Sequence, residues 1–233
     1  MRITIIGGHG KVALLAEPLL VGAGNPVRAF IRTAGQAGEV AATGAEPVVA
    51  DVEGLGSGEL AGLFEDQDAI VWSAGAGGGS PERTLAVDRD AAIRAVDAAE
   101  QAGVRRFVMV SYLGAGRNHG VPEDDGFHSY AEAKAAADAH LRASGLDWTI
   151  LGPGALTTED GIGRIVTVEH LPGGGTPPQL AGGRSGTSAT VPRADVAGVI
   201  AAALADDTTV GRTIDFVGGG ERGGTPTAEA IRG

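Results

Sequence analysis

Tyr130 and Lys134 stand four positions apart in the run Ser129-Tyr-Ala-Glu-Ala-Lys134, in a chain with only two tyrosines and two lysines. In a helix that spacing puts both side chains on one face about a turn apart, so phenol and ammonium address the same small volume. A free tyrosine titrates near ~10, and a nearby cation favours the phenolate; the spacing therefore predicts an acid/base pair working at ordinary pH. The competing reading is a packed tyrosine beside a solvated lysine that reaches Asp138, an ion pair in the less favourable helical order. Which of the two holds depends on the elements that carry the pair.

Ser111 closes the apolar run Phe107-Val-Met-Val110. It is expected at the carboxyl end of a central strand, where open α/β sheets bind ligands, although serine also serves simply to cap or end a strand. Tyr112 is a rival proton donor that lacks a lysine partner. At the other end of the chain, residues 2 to 6 form a short β-branched run suited to a buried parallel strand. Gly7-Gly8-His9-Gly10-Lys11-Val12-Ala13 follows at once and leads into a helical pattern. Gly8, Gly10 and Ala13 satisfy the G-x-G-x-x-G/A spacing of dinucleotide-binding turns, and Gly7, Gly10 and Ala13 fit a related three-residue spacing. Either register brings backbone close to a pyrophosphate at a helix N-terminus. A second strand, Val27 to Arg32, ends in an arginine where an NAD site usually places Asp or Glu. A guanidinium suits a 2′-phosphate, so NADP is favoured over NAD; the other reading of Arg32 is a solvated strand end. Lys11 either adds charge near the phosphates or lies at the surface.

Further apolar runs near 46 to 50, 68 to 73, 105 to 111 and 147 to 151 alternate with helical patterns. That alternation predicts an α/β fold, a doubly wound parallel sheet of Rossmann type with right-handed crossovers. At 233 residues one domain is expected over the whole chain, with residues 155 to 190 as a small substrate-side loop region. Within it, Arg164 to Val168 has strand character, and Leu171 to Pro178 and Ala181 to Gly186 have loop composition.

The ordered set Gly7-x-x-Gly10-x-x-Ala13, Ala50-Asp51-Val52, Ser73-Ala74-Gly75, Val108-Met-Val-Ser111, Tyr130-x-x-x-Lys134 and Pro153-Gly154, returning at Arg193-Ala-Asp195-Val-Ala, resembles the short-chain dehydrogenase/reductase superfamily. More narrowly, it is similar to the atypical NAD(P)H-binding branch, often labelled epimerase/dehydratase-like. The resemblance implies that Gly7, Gly8, His9, Gly10, Lys11 and Val12 hold the diphosphate, Arg32 the adenosine end, and Asp51 with Val52 the adenine. It implies Ala74 and Gly75 under the ribose, and Pro153 and Gly154 beside the nicotinamide. Ser111 would bond the substrate oxygen, Tyr130 would transfer the proton, and Lys134 would hold the nicotinamide ribose while lowering the tyrosine pKa. Where relatives often read Arg-Pro-Gly, this chain reads Gly152-Pro153-Gly154, which removes a contact for an anionic substrate. The implied activity is NADPH-dependent reduction of a small carbonyl compound. The alternatives are an NADP-binding sensor without turnover, or a sugar-type epimerase or dehydratase that recycles its cofactor.

A formal charge of −11 argues against nucleic acid or an anionic membrane as partner, and Arg105-Arg106 is too small a basic patch to reverse it. The expected partner is a small molecule, the chain a monomer or homodimer. Zero cysteines exclude disulfides and thiol catalysis. No basic-then-apolar leader or long apolar run is present, and a cytoplasmic protein is expected. No cluster has metal-ligand spacing, so no metal is expected. His119 and His128 are expected in a solvated loop, Glu123 to Asp125 in a solvated acidic turn, and Asp195 at the start of a helix.

Overall fold

The computed structural model describes residues 1–77, 80–167, 189–219 and 223–232. Ile3–Ile6 (β1) is buried along its whole length and pairs in parallel with Val27–Ile31 (β2) on one side and Ala69–Trp72 (β4) on the other. Glu46–Val49 (β3) lies outside β2, and Arg106–Val110 (β5) and Asp147–Pro153 (β6) extend the sheet beyond β4. All six strands expected from the sequence are present, in the order 3-2-1-4-5-6 of a doubly wound fold.

The strands read as continuous apolar runs because both sheet faces are covered. Alternation along β1 sends Ile3 and Ile5 to one core and Ile6 to the other. The first core packs under Ala13–Gly22 (α1) and, later in the chain, Arg193–Ala205 (α7). The second lies under Ser57–Phe64 (α3), Ala92–Ala102 (α5) and His128–Ala143 (α6). Alanines dominate the buried sides of α5 and α6, which lets these helices lie close to the sheet. Ala37–Ala42 (α2) is a short helix between β2 and β3. Pro81–Thr84 (α4) runs through a π-helical stretch, Leu85–Ala91, into α5, which ends at Gly103 in the left-handed conformation (φ 73°) that glycine adopts freely.

Beyond β6 the chain forms Ala155–Thr157 (β7), Arg164–Thr167 (β8), Thr190–Pro192 (β9), Arg212–Gly218 (β10), Thr225–Pro226 (β11) and Thr227–Ala230 (α8). β10 joins β6 in parallel, β8 and β11 add antiparallel strands outside it, and β7 pairs with β9. The expected strand at 164 to 168 is found as β8, with Val168 outside the described residues. The expected loops at 171 to 178 and 181 to 186 also lie outside them. β10 escaped the sequence reading because its residues mix Thr, Asp and Arg with Ile, Phe and Val rather than forming a continuous apolar run.

Candidate functional site

The glycine loop between β1 and α1 is held tightly on both sides. A Cβ at Gly7, whose φ is 85°, would lie 2.6 Å from the Ala74 Cα. One at Gly8 would lie 2.6 Å from the Ala29 Cβ, and one at Gly10 2.9 Å from the Gly7 carbonyl oxygen. Both glycine registers in the sequence are therefore sterically enforced. The Gly8 N–H donates to the Phe30 carbonyl at 2.8 Å, fixing the loop where β2 and β4 diverge around β1. That divergence is the topological switch point where such sheets bind ligands. Two cavities, of about 280 and about 590 Å3, open there and share Gly10, Ser73, Ala74 and Gly75 as a common floor. A continuous cleft with a close-approach backbone and a helix N-terminus fits an extended dinucleotide.

The smaller cavity is lined by Gly7, His9, Arg32, Asp51 and Val52, residues to which the resemblance assigned the diphosphate and adenosine end. Arg32 is exposed just past β2, and among the described residues its guanidinium has no hydrogen bond or ion pair. Its backbone is fixed by Gln36, whose Oε1 accepts the N–H groups of Arg32 and Thr33. Gln36 also meets His9 Nδ1 at 3.2 Å. On the other wall, Asp51 Oδ1 accepts the Glu53 N–H, and Arg94 of α5 pins the same turn through the carbonyls of Val52 and Leu55. Lys11 and Val12 line the larger cavity instead.

That cavity also contains Ser111, Tyr130 and Lys134. Ser111 follows β5 directly, its N–H donating to the Leu151 carbonyl at 2.8 Å. Tyr130 and Lys134 project from successive turns of α6. The Tyr130 hydroxyl has no hydrogen-bond partner among the described residues, while its ring packs against Phe127 and Tyr112 with centroids 5.1 and 5.6 Å away. Lys134 is 1% exposed and donates to the Val110 carbonyl at 2.8 Å. The solvated lysine of the competing reading is thus absent, and no ion pair to Asp138 forms among the described residues.

One expectation is overturned: the tyrosine is not acidified. Burial is the main cause that pushes the Tyr130 phenol well above its ordinary value, and Asp88 and Asp138 add to it to the extent that they are ionised. The phenol therefore keeps its proton at ordinary pH and can act as a donor but not as a base, and the raised pKa makes it a weaker acid than a free tyrosine. Tyr112, the rival donor, is itself pushed up to about 12, chiefly by burial, and does not line the cavity.

Pro153 and Gly154 are buried at the end of β6 and line neither cavity. The Leu113 N–H donates to the Pro153 carbonyl at 2.8 Å, so these two residues brace the loop beneath the site. Gly152, where an arginine was expected in relatives, lies directly opposite Asp215 on β10. A Cβ there would collide with the Asp215 carboxyl. Other residues also depart from expectation. Arg106 is buried and bonds Thr149, Thr209 and the Ala203 carbonyl, so Arg105-Arg106 is no surface patch. His119 is packed, with Nε2 on Glu132 at 2.7 Å and Nδ1 accepting the Val121 N–H. Asp195 lies in the first turn of α7, as expected, and accepts the Gly163 N–H at 2.7 Å.

Sequence reasoning missed three polar residues at the site. Asp88, 1% exposed, is set by the π-helical stretch so that its Oδ2 accepts the Ala76 N–H at 3.0 Å and its Oδ1 crowds Gly75. Asp138 lies one turn beyond Lys134 on the same face of α6, with its Oδ2 2.7 Å from the Ser111 hydroxyl oxygen. Arg193 opens α7, lines the larger cavity, and has no recorded partner among the described residues. Asp138 had a signal in the continued four-residue spacing after Tyr130 and Lys134, and Arg193 opened the motif Arg193-Ala-Asp195-Val-Ala without being given a role; Asp88 had none.

Comparison with known proteins agrees with this geometry. Residues 7–207 match the family described as NAD(P)H-binding. The chain is similar to the uncharacterized sugar epimerase YhfK of Bacillus subtilis, 35% identical over 236 residues, covering 100% of this chain and 99% of that protein. It is 33% identical to the UPF0659 protein YMR090W of Saccharomyces cerevisiae, over 95% of each chain. Among solved structures, a Bacillus halodurans protein provisionally named an NAD-dependent epimerase/dehydratase superposes with a TM-score of 0.84 at 31% identity, covering 99% of this chain and 98% of that one. The oxidoreductase ylbE of Lactococcus lactis does so with a TM-score of 0.79 at 28% identity, over 99% and 95%.

Proposed function

Since the chain belongs to the NAD(P)H-binding family, in the atypical, epimerase/dehydratase-like branch of the short-chain dehydrogenase/reductase superfamily, we propose that it is an NADPH-dependent reductase of a small carbonyl compound. The observation that carries this reading is a partly buried Tyr130 in the same cavity as Ser111 and Lys134, joined by a common floor to the glycine-loop cleft. Gly7 to Val12, Arg32, Asp51, Val52, Ala74 and Gly75 would hold the dinucleotide, with Pro153 and Gly154 supporting the nicotinamide end from behind. When bound, the nicotinamide supplies the hydride that goes to the carbonyl carbon.

The rest falls to side chains of this chain. Tyr130 gives its phenolic proton to the carbonyl oxygen as charge develops there. Lys134, held by the Val110 carbonyl, keeps further N–H donors for a ribose hydroxyl and partly offsets Asp88 and Asp138. Ser111 stabilises the same substrate oxygen. Arg193, unpaired among the described residues, supplies from the cavity wall the cation that Gly152 does not, and favours a carbonyl compound bearing an anionic group. The uncommitted Arg32 guanidinium supports NADPH over NADH. The ylbE protein, an oxidoreductase by name, is in keeping with this chemistry.

The test is NADPH oxidation with a panel of small aldehydes, ketones and quinones. Tyr130→Phe is expected to lower kcat at least 100-fold while the NADPH Kd changes less than threefold. Unchanged turnover in that variant would remove Tyr130 from the mechanism. A sugar substrate interconverted without net NADPH consumption would instead favour epimerisation, the activity named for the Bacillus subtilis relative.

A further inference from the structure

Asp138 is fully buried on α6, one turn past Lys134, and its Oδ2 lies 2.7 Å from the Ser111 hydroxyl oxygen. Its other oxygen, Oδ1, is buried with no hydrogen-bond partner among the described residues. A serine has one proton to give. If Ser111 donates it to an ionised Asp138, it presents only lone pairs to the cavity and cannot donate to a carbonyl oxygen acquiring negative charge.

We infer that Asp138 is a positioning residue that sets the direction of the Ser111 hydrogen bond: protonated, it donates to the Ser111 oxygen and frees the serine proton for the substrate; ionised, it captures that proton. This rests on the reductase reading above, since it assigns Asp138 a part in stabilising the substrate oxygen.

The surroundings favour the protonated form. A buried carboxylate with one oxygen unpartnered is costly, whereas the acid needs only its single bond to serine. Lys134 and Arg142, both from α6, stabilise the ionised form, but Lys134 is bonded to the Val110 carbonyl and Arg142 to Thr213 at the surface. Asp215 from β10 faces it with a like charge, and Tyr112, after β5, and Tyr130 are neutral phenols. Burial is the largest effect, and it holds the Asp138 carboxyl above the usual carboxylate range.

The experiment follows kcat/KM for NADPH-dependent reduction of 4-nitrobenzaldehyde between pH 5 and 9 in the wild type, Asp138→Asn and Ser111→Ala. The wild type is expected to lose at least tenfold on the alkaline side, at a midpoint above the ordinary carboxylate range. Both variants should lose that limb, and Asp138→Asn should bind NADPH within twofold of the wild type. A limb that persists in Asp138→Asn overturns the assignment, as does a loss that is equal at every pH, which would mark a merely structural tie between α6 and β5. If the wild type does not reduce the aldehyde, carboxyl 13C NMR of aspartate-labelled protein decides independently of turnover. Asp138 should then titrate above the usual range and move higher in Ser111→Ala, because the serine bond stabilises the ionised form. An ordinary titration, or one indifferent to Ser111, overturns the assignment and leaves the dinucleotide site untouched.

Discussion

At the scale of single residues, the site is governed by which charges are already committed. Lys134 has the charge to acidify Tyr130 but gives a hydrogen bond to the Val110 carbonyl, and burial of the phenol is the larger effect and works the other way. Arg32 is the contrasting case, a cation with backbone fixed by Gln36 and side chain uncommitted. Arg32→Ala should weaken NADPH binding by about 10- to 100-fold, the range of one or two charge-assisted hydrogen bonds at roughly 1.5–3 kcal/mol. NADH binding should change little. Fluorescence titration of both nucleotides checks this, and equal losses for the two would take the 2′-phosphate away from Arg32.

At the scale of elements, close approach explains the loop and the strand pair behind it. Gly7 combines a left-handed backbone with Ala74 at 2.6 Å from any added Cβ, so neither strain nor clash can relax alone. Gly7→Ala should destabilise the fold by about 2 kcal/mol or more and abolish NADPH binding, as read by thermal melts and titration. Gly152 and Asp215 are register partners on β6 and β10, and the carboxyl fills the space that a side chain at 152 would need. The missing arginine is therefore one half of a matched pair. Gly152→Ala should lower stability clearly in the wild type and much less when combined with Asp215→Ala, a coupling that a double-mutant melting cycle measures directly.

At the scale of the whole molecule, buried polar groups tie distant elements together. Arg106 joins β5 to the Asp147 carbonyl and Thr149 of β6, to the Ala203 carbonyl of α7, and to Thr209 beyond it. Arg106→Met should cost about 3 kcal/mol, because several buried acceptors lose their donor together. Glu17 is buried on α1, where Thr43 donates to it at 2.8 Å, and burial pushes its carboxyl up to about 7 from 4.5. A folded-state pKa raised above the unfolded one means the native protein binds more protons between those values. Stability is therefore fully retained below 4.5 and falls as pH rises through about 7. Glu17→Gln should remove on the order of 2 kcal/mol of that fall, seen as a flatter dependence of melting temperature on pH.

The amino-acid sequence by itself determined the six central strands and their alternation with helices, the glycine turn after the first, and the pairing of Tyr130 with Lys134. Each is written in local spacing, in continuous apolar runs or in small residues where backbone must pass. The tertiary structure alone decided that the tyrosine keeps its proton, that Ser111 answers to Asp138, that Asp88 and Arg193 reach the cavity, and that Gly152 makes room for Asp215. These depend on burial and on neighbours far apart in the chain. The cost of a charge is set by what surrounds it in space, and spacing along one helix cannot register a carboxyl or a strand arriving from elsewhere.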